Sequence, residues 1–454
     1  MELNLKKFIE ELKSVASEQK KPIYITGGYI RDKLMDVNSA PKDIDIIYSG
    51  DIYYLIDSLK NKGYKFYPVK EEEGIYSTII SGYSADISIM KGSTIEEDLA
   101  RRDFTVNAIA LSLLDKKVID IFNGRRAIKS RILQEVDETS LKSDPVRILR
   151  GMRFYIKYGL HFSIGTEAHV TEFAHLLREA KGERVLNEML SIIQCDTDGR
   201  AFELMDNYRI IENILPYINE LKDIEKGDFK CLDVFSHMDL TYKSYKELLS
   251  GLIVLKDVDL SFLEKQTGNH TLREYQGFAC FVHDMGKYLT IDEHSVAGAE
   301  ILEKKCLELK FPREAADIVT SAVRYHEVPR SLYEISDEGQ LLSHLYLFFK
   351  QNGSTTPFIL LTSFCDVYAE KIIYDPANEK KKFKEFIEKL FTLYNRYISI
   401  IRNKWVDGDF IQKETQINGR EIGILIDEIN ELIFSGIVNS KEEAQKYIMT
   451  KYGG

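Results

Sequence analysis

Three groups of side chains in this chain have the types and spacing that chemistry requires. The first is Asp43 and Asp45, in the stretch PIYITGGYIRDKLMDVNSAPKDIDIIY from Pro22 to Tyr48. Residues two apart on a strand share a face, about 6.6 Å apart at ~3.3 Å rise. Carboxylates converging from that spacing can bridge two divalent cations, which lie roughly 3.5–4 Å apart in phosphoryl-transfer sites. A solvated strand edge is the competing reading, but Ile44, Ile46 and Ile47 make the strand apolar, so buried charges on it need partners. Upstream, Gly27-Gly28 lets a backbone approach a ligand, and the helix start bearing Arg31 and Asp32 offers amides to phosphate. A triphosphate beside two metal ions is the simplest substrate for this arrangement.

The second group is EEDLARRDFTVNAIAL, Glu96 to Leu111, read as a helix that gathers Arg101, Arg102, Asp103 and Asn107. Such a set binds a ribose and phosphates, and serves equally as a surface ion-pair cluster. SDPVRILRGMRFYIKYG, Ser143 to Gly159, extends it with Asp144, Arg147, Arg150, Arg153 and Lys157. An Asp–Arg pair can read the polar edge of a base; spacing alone favours a capped helix with an i, i+3 ion pair. The third group is histidine-rich: His283-Asp284 in FVHDMGK, with His237 before it and His294, His326 and Asp366 after it. Imidazoles and carboxylates ligate divalent or transition metals, and a helix-bundle core is where separate helices bring them together.

The elements that must position these groups follow from periodicity. Residues 3–20 read as an amphipathic helix with Leu5, Phe8, Ile9, Leu12 and Val15 on one face, rather than as a secretion signal. A helix over 52–62 precedes strands at 64–69, 77–80 and 85–90; the last, ADISIM, puts Asp86 forward as a third carboxylate, or as an edge aspartate. Residues 117–122 read as a closing strand, and from about residue 140 helices take over. The expected class is α+β, with an α/β head on a mixed sheet followed by an all-α remainder.

At 454 residues the chain exceeds one core, and 44% hydrophobic with 29% charged residues is ordinary for a globular protein. No apolar run reaches a membrane span. Five dispersed cysteines (Cys195, Cys231, Cys280, Cys306, Cys365) without C-x-x-C point to a reducing cytoplasm. The net charge of −11 argues against nucleic-acid binding as a whole, yet local basic segments occur at Arg101-Arg102, at Arg125 to Arg131 and at Arg147 to Lys157.

Taken in order, GGYIRD with DID, EEDLARRDFTVNAIA, SDPVRILRGMRF and GERVLNEM (Gly182 to Met189) resemble the motifs of the class II tRNA nucleotidyltransferase and bacterial poly(A) polymerase family. Residues 237–366 are similar to an HD phosphohydrolase domain, and INGREIGILIDEIN with EEAQKYI resembles the family's tail. The resemblance implies a nucleotidyltransferase-fold head (1–139), a helical neck (140–200), an HD-like body (201–390) and a tRNA-binding helical tail (391–454). It implies that Asp43 and Asp45 hold two Mg²⁺, with Asp86 as a third catalytic carboxylate, that Gly27, Gly28 and Arg31 cradle the triphosphate, and that Arg102, Asp103 and Asn107 hold the ribose. Asp144 and Arg147 would pair with the base of CTP or ATP, with Arg150 and Arg153 beside them. His237, His283, Asp284 and Asp366 would hold a body metal, with His294 and His326 free for a second ion or a phosphate. The expected partners are tRNA, through its 3′ end and acceptor arm, the two nucleotides, and a separate A-adding enzyme, with no membrane.

Two departures bear on the product. Ser143 stands where the family usually has glutamate, and only a short segment separates Asp86 from Arg101, where CCA-adding members carry a longer loop. Loss of that loop goes with CC-adding members. CC addition, CCA addition and A-only or poly(A) addition are all retained, in that order, beside an HD phosphohydrolase whose head only binds RNA.

Overall fold

The computed structural model describes residues 2–35, 43–226, 232–372 and 375–452. Cys231 and the 36–42 segment before Asp43 lie outside the described residues. The chain forms two compact units, one of residues up to 180 with 207–214, the other of 181–206 with 215 onward.

The first unit is built on a seven-stranded mixed sheet. Helix α1 (Glu2–Glu18) buries Leu5, Phe8, Leu12 and Val15, the stripe expected of it. Strand β1 (Ile23–Thr26) leads through Gly27 into α2 (Gly28–Leu34), and β2 (Asp43–Tyr48) follows. After α3 (Ile52–Asn61) come β3 (Tyr67–Lys70), β4 (Ile75–Ile80) and β5 (Tyr83–Ile89). Helix α4 (Ile95–Leu99), β6 (Ala110–Ser112) and β7 (Val118–Ile119) complete the sheet, in the order β3-β4-β5-β2-β1-β6-β7. Within this sheet β2 and β5 pair in parallel, at its centre, and the other neighbours pair antiparallel. Alternation along β2 buries Ile44, Ile46 and Tyr48 on one face, while Asp43, Asp45 and Ile47 share the other. Ile47 packs with Ile95, Leu99, Ala108 and Ala110, so the aspartates emerge beside α4 and the segment after it.

The single helix expected over Glu96 to Leu111 is not formed. Helix α4 stops at Leu99, a 3₁₀ turn spans Thr105–Asn107, and the remainder enters the sheet as β6 against β1. The cause is local capture by Asp103. Its carboxylate accepts the Phe104 amide at 2.8 Å and the Asn107 side-chain amide at 2.9 Å, while its carbonyl accepts the Val136 amide. A side chain that bonds its own backbone competes with helix continuation. The closing strand is likewise shorter than expected, because Asp120 turns to accept the Gly124 and Arg125 amides at the start of α5 (Gly124–Ser130). Helices α6 (Ser140–Ser143) and α7 (Val146–Tyr158) follow.

The second unit is predominantly helical. Helices Val234–Leu249, Leu272–Val282, His294–Leu309, Arg313–Tyr325 and Thr356–Glu370 pack around a shared core, and later helices continue to Tyr452. Among the described residues no helix is long and apolar enough to cross a membrane.

Candidate active site

Register brings the head carboxylates together. Asp45 on β2 lies directly opposite Asp86 on β5, and Thr26 on β1 is its partner on the other side. Asp43, two residues earlier, is exposed; Asp45 and Asp86 are half-buried. Burial pushes the Asp45 carboxyl above the ordinary carboxylate range; the charge of Arg102 opposes this, and those of Asp86 and Asp43 add to it. Three acids crowded on one sheet face repel one another unless a cation joins them. This donor set of hard oxygens fits a divalent ion. Gly27 is the complement of that crowding. Its φ is +70°, and a Cβ there would stand 2.5 Å from Asp45 Oδ2 and 3.2 Å from Arg102 Nη1. Gly27→Ala is expected to displace the carboxylate and lower nucleotide turnover about 100-fold, a misplacement effect, while the thermal transition persists; unchanged turnover would remove Gly27 from the site.

Around the acids, a continuous polar chain links residues far apart in sequence. The Arg31 guanidinium is buried and donates to Asn107 Oδ1 at 2.6 Å, Asp32 Oδ1 at 2.8 Å and the Tyr158 hydroxyl at 2.7 Å. Asn107 donates to Asp103, whose other oxygen takes Arg150 Nε at 2.9 Å. Arg102 donates to Thr26 Oγ1 and pairs with Asp98 at 3.6 Å. Gly28 begins α2, its Cα facing the Arg31 fork. Burial alone would raise the Asp103 carboxyl, but the Arg150 charge and the Asn107 and Phe104 hydrogen bonds outweigh it and hold it down to about 2. Because the folded value is depressed below 3.8, the stability it contributes is complete above that pH and disappears as pH falls toward about 2. Asp103→Asn is therefore expected to cost roughly 2 kcal/mol at pH 7 and much less near pH 2. Urea titrations at both pH values measure it.

At the start of α7, Arg147 pairs loosely with Asp144 (3.8 Å) and donates to the Arg101 carbonyl at 2.8 Å and the Ser140 hydroxyl at 2.7 Å. Ser143 donates to the Ser140 carbonyl at 2.9 Å. Arg153 lies 4.9 Å from the Phe154 ring on the same helix. Thr26, Ser140 and Tyr158 were not evident from the sequence. Tyr158 directly follows the basic segment, yet only the fold shows that its hydroxyl meets Arg31.

In the second unit the six expected ligands form one buried cluster. His237 Nε2 is 2.8 Å from Asp366 Oδ1, and His283 Nε2 is 3.4 Å from both Asp366 Oδ1 and Asp284 Oδ2. Asp284 Oδ1 faces the other way, 3.1 Å from His294 Nε2 and 3.7 Å from His326 Nε2. The Nδ1 atoms of His283, His294 and His326 meet the carbonyls of Cys280, Ile291 and Val323, which leaves Nε2 of each to the cluster. Backbone acceptors of this kind fix tautomer and ring orientation in metal sites. Although burial pulls it down, Asp284 and Asp366 hold the His283 imidazolium up to about 9. Burial and the His283 charge push His326 down to about 3. His237, His283 and Asp366, and likewise His283, Asp284 and His326, present ligand atoms close enough to share an ion. Two further groups join: Lys287 Nζ reaches Asp284 Oδ2 at 2.8 Å, and Glu327 approaches His294 at 3.7 Å. Their signal was adjacency, since Lys287 is one helical turn from Asp284 and Glu327 follows His326.

Comparison with known proteins places three domains along the chain. Residues 23–134 match the poly(A) polymerase head domain, 159–222 the probable RNA- and SrmB-binding site of polymerase A, and 269–345 the HD domain. An A-adding tRNA nucleotidyltransferase of Deinococcus radiodurans is 28% identical over 67% of this chain and 68% of its own. A multifunctional CCA protein of Xanthomonas euvesicatoria is 27% identical over 69% of this chain and 77% of its own. Among solved structures, a CCA-adding enzyme with ATP shares the fold at a TM-score of 0.67 and 19% identity, covering 98% of this chain and 93% of that one. The Thermotoga maritima CCA-adding enzyme complexed with tRNA does so at 0.62 and 20%, covering 98% and 94%. Three segments of the chain thus match a poly(A) polymerase head domain, a polymerase A RNA-binding region and an HD domain, and the chain is similar along two thirds of its length to proteins named as an A-adding tRNA nucleotidyltransferase and a multifunctional CCA protein.

Proposed function

We propose that the chain adds CMP, AMP or both to the 3′ end of tRNA without a nucleic-acid template, releasing pyrophosphate. The observation that carries this reading is the side-by-side register of Asp45 and Asp86, with Asp43 on the same face and Gly27 against them. Asp43 and Asp45 are the groups to hold two Mg²⁺, which supply activation of the RNA hydroxyl and neutralisation of the triphosphate. The hydroxyl oxygen bonds to the nucleotide's α-phosphorus as the bond to the β-phosphate oxygen breaks, and the hydroxyl proton leaves to solvent. Gly27, Gly28 and Arg31 serve the phosphates, and Arg102, Asp103 and Asn107 the ribose. Arg31 acts from inside the fold, as the buried brace that holds Asn107 in place. Asp144 and Arg147 select the base: Ser140 and the Arg101 carbonyl fix the arginine fork, and Asp144 supplies an acceptor beside it. Positioning of this kind supplies most of the catalysis in phosphoryl transfer.

CC addition is the product we favour. Residues 90–94 form a short, tied connection, with the Lys91 amide on Asp98 and the Ser93 amide on Glu97, in place of a long loop. A separate A-adding enzyme would then complete the end, in the cytoplasm where tRNA matures. Truncated tRNA offered Mg²⁺ and single labelled nucleotides tests the reading: CMP incorporation with CTP alone supports CC addition, AMP incorporation on tRNA ending in CC supports CCA or A addition, and incorporation of neither overturns the proposal.

The body cluster supports a second reading, a metal-dependent phosphohydrolase acting on cyclic or terminal phosphates. Asp284 standing between two sets of imidazoles favours it. Metal-restored hydrolysis of a 2′,3′-cyclic nucleotide by the parent, absent from His283→Ala, is the expected result.

A further inference from the structure

We propose that a basic pocket at the far end of α7 binds the phosphodiester backbone of the RNA strand behind its reacting 3′ end. The inference rests on the nucleotidyl-transfer reading and adds to it a second contact for the nucleic acid. The pocket encloses about 900 Å³ within the first unit and is lined by Arg125, Arg126, Lys129, Arg131 and Lys157, with Tyr158 as one wall. All five cations are exposed. Among the described residues, none of the five forms an ion pair with a carboxylate. The acid in the lining, Asp120, is already engaged, accepting the Gly124 and Arg125 amides. Arg131 is anchored by its bond to the Tyr158 carbonyl at 3.1 Å, so part of the pocket is preorganised.

Three considerations converge on RNA phosphate. Five like charges in one concavity of a chain whose net charge is −11 repel one another, and a polyanion is the ligand that offsets that cost. The pocket also adjoins the nucleotide network, because Tyr158 both lines it and accepts Arg31. Finally, Arg147, Arg150, Arg153 and Lys157 recur at three- and four-residue steps along α7, a basic stripe leading from the base-selecting end to the pocket. The ten residue steps from Arg147 to Lys157 rise about 15 Å, room for a strand to run from one end to the other. Phosphate contacts of this kind fix register without reading sequence.

The test is filter binding of tRNA lacking its 3′-terminal nucleotides over a KCl series, with the full chain and an Arg126→Glu/Lys129→Glu variant. Each phosphate contact contributes about 0.7–0.9 to the salt slope. The variant is expected to lose roughly 1.5–2 units of slope and at least 10-fold in tRNA affinity, while turnover at saturating tRNA and KM for CTP stay as in the parent. Arg126→Gln and Lys129→Gln, each losing about one unit, repeat the result without reversing charge. A Lys60→Glu/Lys62→Glu variant makes the same change in net charge at the C-terminal end of α3, outside the pocket lining. Equal slope losses in both double variants, or none in the pocket variant, overturn the inference; so does a rise in KM for CTP with tRNA affinity intact, which would assign the pocket to the triphosphate. A parent that binds truncated tRNA but never extends it counts against nucleotidyl transfer instead, and leaves the pocket standing.

Discussion

Asp45→Ala is expected to lower nucleotide addition to tRNA at least 1000-fold, about 4 kcal/mol of transition-state stabilisation, while the metal-free variant melts no lower than the parent. Both halves follow from one arrangement. Asp45 faces Asp86 and shares a strand face with Asp43, so its charge is useful only to a cation and costly without one. Removing it abolishes the ion's anchorage yet relieves a buried repulsion. Asp43→Ala, at an exposed position, should match the loss of activity with little change in melting either way. Primer extension alongside melting curves in chelator separates the two effects. A variant that loses activity because it unfolds would place Asp45 in the core rather than in the chemistry.

The second large effect concerns the body. Asp284→Ala is expected to reduce metal bound per chain to background and to destabilise the second unit by about 3–5 kcal/mol, with nucleotide addition by the head retained. Its carboxylate is buried between His283 and Lys287 on one oxygen and His294 and His326 on the other, so deletion leaves buried charge uncompensated. Metal content by mass spectrometry and melting curves read both. The pH dependence has a definite sign. Without metal, the raised His283 adds stability that is complete below about 6.5 and lost as pH rises through about 9. His326, held neutral by burial, makes the opposite contribution, lost as pH falls below about 6.5. The chelated protein should thus be most stable near pH 6.5. Metal affinity should instead rise from there toward pH 9, because the ion must displace the His283 proton.

How much of this was legible in the sequence depends on how far apart the cooperating residues are. The Asp43–Asp45 pairing and its strand could be read from a two-residue spacing, and β2 formed where the isoleucines placed it. Asp86 could be nominated but not positioned, because strand neighbours and register are set by the whole sheet. The misassigned helix over Glu96 to Leu111 has a clear origin: the reading rested on polar residues within one helical turn of each other, while Asp103 side-chain bonds and pairing of Ala110–Ser112 with β1 decided the backbone. The Arg31–Asn107 and Asp103–Arg150 bonds join residues 76 and 47 positions apart, beyond any local signal. The body histidines were recognisable as a set by residue type. That Asp284 would stand between two groups of them was decided by helix packing.

The most direct test of the account is anomalous scattering from crystals grown with Mn²⁺ and a non-hydrolysable CTP analogue. The account predicts two peaks held by Asp43 and Asp45, beside Asp86 and against the analogue's phosphates, both absent from Asp45→Ala. An analogue bound in the head with no metal at these carboxylates, in a protein that still extends tRNA, would contradict it.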